Sequence, residues 1–322
     1  REVQGLLKEK ADLAAISVFG KNLNQLLMTP PVTKRVILGV DPAFVSGCKL
    51  AVIDENGNYL ESAVIYPTAP KNDYNASKTK TLTLTNKYNV TGVAIGNGTA
   101  SRETQEFFAR LNEEEGAKLN YTVVSEAGAS VYSASKLAQD EYPNLDVTIR
   151  GAISIAQRLR DPMAALVKID PKSLGIGQYQ HDVNQKLLEK KLGDVTEDLV
   201  NRVGVDVNSA SAALLSRVVG LGAKLAQNVI KHRDENGNFK TKSDLLKVKG
   251  LGKKAYEQAA GFIRIVNGAS VFDNSGIHPE SYDIAKKLNG LDLSALDAPT
   301  LAKTLNVGEQ TLLDIVKELR KP

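Results

Sequence analysis

Two carboxylates stand just past apolar runs in this 322-residue sequence, far apart in the chain but alike in setting. Asp41 closes "VILGVD", a short buried-strand pattern that Pro42 then interrupts. Glu126 follows "TVV" in "TVVSEAG". Acids at the ends of strands in one sheet converge. Converging acids are what a pair of divalent ions needs to bridge the attacking and leaving oxygens of a phosphoryl transfer. Such a centre wants a third acid, and the helical run "TIRGAISIAQRLRDP" offers Arg150 roughly where it should stand. The nearest acids, Asp146 and Asp161, fall at the two ends of that run. A guanidinium aimed into the site would compete with a metal rather than ligate it. Asp41 and Glu126 are therefore the candidate catalytic residues, and their reading as strand-end caps or polar pairs is preferred to catalysis. No cofactor and no metal site is expected; Mg²⁺ or Mn²⁺ enters only if the two acids serve a nuclease.

A stronger chemical pattern is a repeat. "VVGLGAKLAQNVI" (218–230) and "VKGLGKKAYEQAA" (248–260) lie 30 residues apart, and each carries Gly-Leu-Gly ahead of lysine. Short helical stretches flank both copies, which is the helix-hairpin-helix pattern. Gly220, Gly222, Gly250 and Gly252 allow sharp turns and a close backbone approach. The amides of the following helix then face outward toward a phosphate. Lys224, Lys253 and Lys254 add full charges, while Leu221 and Leu251 are expected beneath the hairpins. One Gly-Leu-Gly is a common helix ending. Two at matched offsets sit inside a segment, 210–266, with 11 Lys/Arg against 4 Asp/Glu, although the whole chain carries only +4. These residues are expected to hold the backbone of DNA or RNA without reading its bases.

The elements that must position these groups are legible in outline. Residues 1–33 form a helical lead-in that stops at Pro30-Pro31. From 34 to 166 an α/β pattern begins with three antiparallel strands, the second and third turning through Asn56-Gly57. Strand–helix alternation follows. Periodicity by itself supports mixed α/β, and the order is that of an RNase H-like domain. Residues 167–205 read as a helical, polar connector. Residues 206–267 hold the tandem helix-hairpin-helix, and 268–322 a small helical domain. Asp41 and Glu126 are expected near each other at one edge of a five-stranded sheet. The glycine-rich "GNGTASRE" lacks a P-loop ending, so Thr99 or Ser101 is read as a helix cap. The "DENGN" strings at 54–58 and 234–238 lack the further ligands of a calcium loop and read as turns.

The 42% hydrophobic content supports several real cores. One cysteine, Cys48, and the absence of a secretory or membrane-length run point to a reducing, cytoplasmic setting, and three scattered histidines argue against zinc. A monomer with no membrane partner is expected. The chain starts at Arg1 without Met and is read as an excised or mature fragment.

The blocks "LGVDPAFVSGCKLAVID", "AIGNGTASRET", "VVSEAGASVYSASKLA", "RGAISIAQRLRDPMAALVKIDPKSLGIGQYQHDVNQ", "VNRVGVDVNSASAALL" and "NSGIHPESY" resemble the Tex family of bacterial transcription accessory proteins along nearly the whole chain. The resemblance implies a YqgF-type RNase H-like domain, tandem helix-hairpin-helix motifs and a further helical domain. It also implies an N-terminal helical region and a C-terminal OB-fold RNA-binding domain outside these residues. Family members are regarded as nucleic-acid-binding, without an established nuclease activity, and are similar to a eukaryotic elongation factor, so the transcription machinery is an implied partner. The block around His181 has no clear role in the family. Gln178, Gln180, His181 and Asn184 are read as an inter-domain polar network.

Overall fold

The computed structural model describes residues 2–291 and 297–321, and the chain falls into two compact units, 1–196 and 197–322. The first unit opens with α1 (Glu2–Leu27), which buries Ile16, Phe19, Leu23 and Leu27 at helical spacing. β1 (Ile37–Asp41), β2 (Cys48–Ile53) and β3 (Tyr59–Ile65) then form an antiparallel meander. The turn between β2 and β3 is set by Asp54, whose Oδ1 accepts the amides of Asn56 and Asn58, and by Gly57 at φ +88°. α2 (Tyr74–Lys87), β4 (Gly92–Gly96), α3 (Ser101–Glu115) and β5 (Asn120–Val124) follow. The sheet order is β3-β2-β1-β4-β5, with β4 parallel to both β1 and β5. This is the RNase H-like order.

β1, β2 and β4 are buried almost throughout because helices cover both faces. Leu84 of α2 with Phe107, Phe108 and Leu111 of α3 cover one face. The chain continues through α4 (Ala129–Ser133), α5 (Lys136–Glu141), α6 (Val147–Arg160) and α7 (Pro162–Leu166). Ala152, Ile153, Ile155 and Ala156 of α6 cover the other face. The helix comes so close to β1 that a Cβ on Gly39 would overlap the Ala152 carbonyl. That glycine and the small residues of α6 fix what lies over the end of β1.

After α7 come a 3-10 turn (Pro171–Ser173), an irregular stretch and α8 (Gln185–Val203), which spans the boundary between the units. Gln180 Nε2 donates to the Lys172 carbonyl at 2.5 Å, Gln185 Nε2 to the carbonyls of Gln180 and Val183, and Asn184 N to Asp12 of α1. All these partners lie in the first unit. Asn184 also caps α8 by accepting the amides of Lys186 and Leu187.

The second unit holds β6 (Val205–Asp206), α9 (Ala212–Leu215), α10 (Ala223–Asn236), a 3-10 helix (Lys242–Lys247), α11 (Lys253–Ala259) and β7 (Ile263–Arg264). β6 and β7 pair in parallel, tying the start of the hairpin region to its end. α12 (Tyr282–Leu288), α13 (Ala298–Leu305) and α14 (Glu309–Leu319) close the unit over Phe272, Ile277, Leu312 and Ile315. Lys242 is fully buried in this unit and donates from Nζ to the carbonyls of Ser275 and Ile277. Burial and the neighbouring Arg264 push its ammonium down to about 7. The second "DENGN" string is the end of α10 with Gly237 as its C-cap, where the first is a hairpin turn.

Candidate nucleic-acid interface and the acidic sheet end

The two hairpins share one geometry. Leu221 N donates to the Val218 carbonyl at 3.0 Å, and Leu251 N to the Val248 carbonyl at 3.1 Å. The third residue of each turn has positive φ, +88° at Gly220 and +83° at Gly250, which glycine adopts without penalty. Leu221 and Leu251 are buried under the turns. Gly222 and Gly252 are the N-caps of α10 and α11, with the carbonyls of both accepting the first helical bonds. The first amides of each helix therefore lack intrahelical acceptors, as at any helix start. Gly222, Ala223 and Lys224 are exposed, and so are Gly252, Lys253 and Lys254.

The φ values of Gly222 and Gly252 are +8° and −80°, outside the left-handed region. The positive φ belongs to Gly220 and Gly250, and these two face the opposite hairpin. A Cβ on Gly220 would meet Ala255 O at 2.8 Å and Gln258 Cβ at 2.9 Å, both on α11. One on Gly250 would meet Leu225 and Asn228 of α10, each at 3.7 Å. Residues 255 and 258 stand 30 positions after 225 and 228, so the contacts repeat under the same offset as the sequence. The hairpins pack as a pseudo-symmetric pair, and each turn glycine is the seat of the other copy's second helix. Side-chain amides brace the turns. Asn228 donates to the Lys249 carbonyl at 2.8 Å, while Asn201 accepts from Val219 N and donates to the Arg217 carbonyl. Neither asparagine belongs to the Gly-Leu-Gly pattern, and no signal in the sequence pointed to them.

In the first unit, Asp41 is the last residue of β1 and Glu126 lies two residues past β5. Both sit at the carboxyl ends of the parallel strands. The Glu126 amide donates to Asn97 Oδ1 at 3.0 Å, and its carboxylate is cradled by Gly96 at the end of β4 and Gly98 of the β4–α3 loop, where any Cβ would collide with it. Its Oε2 is buried without a hydrogen-bond partner among the described residues. Asp41 is largely buried, and desolvation, with the Glu126 charge adding, pushes its carboxyl up to about 6 against the opposing pull of Lys49. Lys49 is itself held by Ser46 and the Gly47 carbonyl.

The residue of α6 that faces Asp41 is Gly151, where a Cβ would come to 3.0 Å from Asp41 Oδ2. Arg150 is not in that space, contrary to the sequence expectation. Its guanidinium donates to the carbonyls of Tyr142 at 3.2 Å and Ser133 at 3.4 Å. The arginine of α6 that bears on the acids is Arg158, two turns further along. It is buried and donates to the Ser125 carbonyl at 2.6 Å. Burial pulls its guanidinium down to about 10, against the Glu126 charge, which favours the protonated form. The helical phase was misjudged by one residue, which rotates a side chain by about 100° on a 3.6-residue helix. The cap expected at Thr99 or Ser101 is also corrected, because α3 is entered through Ala100 at φ +63° with no side-chain cap. Among the described residues no group of three or more His, Cys, Asp or Glu side chains is placed to hold a metal. Two acids opposite a glycine, with a buried guanidinium beside one of them, do not fit a two-metal centre.

An RNase H-like sheet followed by a paired hairpin unit and a helical cap is the architecture that the comparisons with known proteins then match. Residues 35–160 match the Tex protein YqgF-like domain, 200–264 the helix-hairpin-helix motif, and 270–322 an HHH domain. The chain is 51% identical over 291 residues to Protein tex of Bordetella pertussis, covering 89% of this chain and 36% of that protein. It is 47% identical over 336 residues to the Transcriptional accessory protein Tex of Neisseria gonorrhoeae, with 100% and 44% covered. Protein YhgF of Escherichia coli is 47% identical over 337 residues, with 100% and 43% covered. The chain belongs to the Tex family. It spans less than half the length of these curated relatives. Among solved structures, T. thermophilus RuvC in complex with a Holliday junction substrate superposes with a TM-score of 0.30 at 14% identity, over 38% of this chain and 90% of that one, and no functional step rests on it. No helix among the described residues is long and apolar enough to cross a membrane.

Proposed function

We propose that this chain is the nucleic-acid-holding part of a cytoplasmic transcription accessory factor, gripping the DNA or RNA backbone through its hairpin pair. The observation that carries the reading is the pair itself. Two helix starts without side-chain caps are exposed in one unit, with Lys224, Lys253 and Lys254 in their first turns. Such donors meet phosphates and not base edges, so binding is sequence-tolerant. The name of the relative from Neisseria gonorrhoeae, Transcriptional accessory protein Tex, supports the setting in transcription. The test is a salt titration of duplex and single-stranded binding, wild type against Lys224→Ala/Lys253→Ala/Lys254→Ala. The variant should weaken binding of every sequence alike. It should also lower the duplex salt slope by up to about 0.9 for each phosphate that no longer meets a lysine, and less on single strands. Identical slopes would reduce the hairpins to structural turns.

The acidic sheet end is proposed to be catalytically silent. The rival reading, a metal-dependent nuclease or resolvase on Asp41 and Glu126, needs a third acid where Gly151 stands. Incubation with branched DNA, single strands and RNA in Mg²⁺ or Mn²⁺ should give no turnover that Asp41→Asn abolishes.

A further inference from the structure

The two edges of the five-stranded sheet are finished differently. At the β3 edge, Lys80 Nζ donates to the Val64 carbonyl at 3.3 Å, Ser77 Oγ accepts the Tyr66 amide at 3.0 Å, and Lys87 pairs with Glu61 at 2.6 Å. Main-chain groups of that edge are engaged by α2, and charge guards it. Among the described residues no such hydrogen bonds or ion pairs engage the outer edge of β5. Asn120 to Val123 are all exposed, Tyr121 by 37% and Val123 by 43%, and the strand contains no lysine, proline or bulge. A bare edge of this kind is a template for another strand.

Beside β5 lies a cavity of about 220 Å³, walled by Thr122 and Val124 of the strand, Leu26 and Pro30 at and after the end of α1, and Pro162 and Leu166 of α7. Its lining is largely apolar, with Arg158 as the charged member. Arg158 is 4% exposed, and its Nε and Nη2 find no acceptor among the described residues. Glu126 acts on it through space without forming an ion pair within 4.0 Å among the described residues. A buried guanidinium with idle donors is costly, and a carboxylate is the acceptor that fits its planar fork.

We propose that this edge is a peptide-binding site: an extended segment of a partner protein adds as a sixth strand to β5, seats an apolar side chain in the cavity and turns a carboxylate toward Arg158. Main-chain pairing would supply affinity, and the cavity with its arginine would supply specificity. The acid of the segment is chosen by charge complementarity, since the charged member of the groove's lining is a cation. The proposal is independent of the hairpins and of any chemistry at Asp41.

The probe is a blocked, fluorescently labelled peptide, acetyl-Thr-Leu-Thr-Asp-Thr-Val-amide, whose Leu and Asp share one face of a strand, followed by anisotropy against the whole chain. Two control peptides carry Asn in place of Asp, or N-methyl groups on alternate amides. Saturable binding is expected, about tenfold weaker for the Asn peptide and lost for the N-methylated one. Arg158→Met should remove the preference for Asp over Asn. Because that variant disturbs a buried site, Val123→Lys serves as a second, exposed test that should block strand addition while leaving the thermal transition in place. No binding of the probe at about millimolar concentration overturns the proposal on affinity grounds. Equal binding of the N-methylated peptide overturns strand pairing. A reversible dimer in the ultracentrifuge that Val123→Lys dissolves would overturn the partner peptide as occupant and put a second copy of the chain in its place.

Discussion

The hairpin pair and the acidic sheet end both gather polar groups, and they do it in opposite ways. In the hairpins the groups are backbone amides at two helix starts, exposed and fixed by glycines and a buried leucine. At the sheet end they are side chains brought together from β1, the β5 exit and α6. They are turned inward, so that the Asp41 carboxyl is pushed up to about 6 and Glu126 keeps an idle oxygen. An outward array of donors receives an anion at little cost. An inward pair of acids suffers desolvation, and Gly151 stands opposite Asp41. The contrast supports the proposal that the first region binds and the second is silent.

The hairpins also differ from one another. Their backbones match in turn, cap and burial, yet at matched positions the second carries Lys249, Lys253 and Lys254 where the first carries Val219, Ala223 and Lys224. The largest expected effects test the shared backbone. Gly220→Ala meets both a positive φ and the Ala255 carbonyl at 2.8 Å, whereas Gly250→Ala meets the φ but only ordinary contacts at 3.7 Å. The first should cost roughly 2–4 kcal/mol and the second about 1–3 kcal/mol. Gly222→Ala and Gly252→Ala, with open space at the Cβ, should cost about 1 kcal/mol or less. Urea unfolding of the four variants gives the order. If Gly250→Ala proved the more damaging, the pairing of each turn against the other's second helix would be wrong.

Next in size is the charge difference. Lys249→Ala/Lys253→Ala/Lys254→Ala should lower the duplex salt slope by up to about 2.7, against about 0.9 for Lys224→Ala. Lys253 already faces Glu257 at 3.7 Å, so its share should be the smallest of the three. The reverse variant, Val219→Lys/Ala223→Lys, should raise the slope of an otherwise wild-type chain. Equal reductions from the two hairpins would mean that helix amides dominate and the lysines are spectators.

What could be read from residues alone follows the same division. The hairpin geometry depends on a short contiguous string, so spacing located its turns and buried leucines, although it did not separate the positive-φ Gly220 and Gly250 from the helix caps Gly222 and Gly252. The meander-then-alternation order of the sheet was equally legible, because turn chemistry at Asp54–Asn58 and unbroken apolar strands are local signals. The strand-end positions of Asp41 and Glu126 were legible for the same reason. What packs over them was not. That depends on the phase of α6, set by Gly39 admitting Ala152 and Ala156 close to β1, a contact between residues far apart in the chain. Once that phase is known, Gly151 and not Arg150 faces Asp41, and Arg158 takes the arginine's place. The hydrogen-bond partners of the polar block around His181 were not legible for a related reason, since Lys172, Val183 and Asp12 carry no pattern that pairs them in advance.

The smallest expected effect separates a buried acid from a working one. The Asp41 carboxyl is pushed up to about 6 from an ordinary value of 3.8, mainly by burial and then by Glu126. Between those values the folded chain binds more protons than the unfolded chain, so stability falls as pH rises through that window and levels off above it. Replacing the acid by its neutral isostere removes this loss. Asp41→Asn should therefore match wild type near pH 4 and become more stable by on the order of 1–2 kcal/mol at about pH 7, after allowing for partial solvent access. The check is the difference in thermal midpoint between the two proteins across that range. A group retained to bind a divalent cation would behave differently, because millimolar Mn²⁺ would stabilise wild type and erase the advantage of the variant. An advantage that grows with pH and ignores Mn²⁺ identifies Asp41 as an acid that destabilises the fold it sits in.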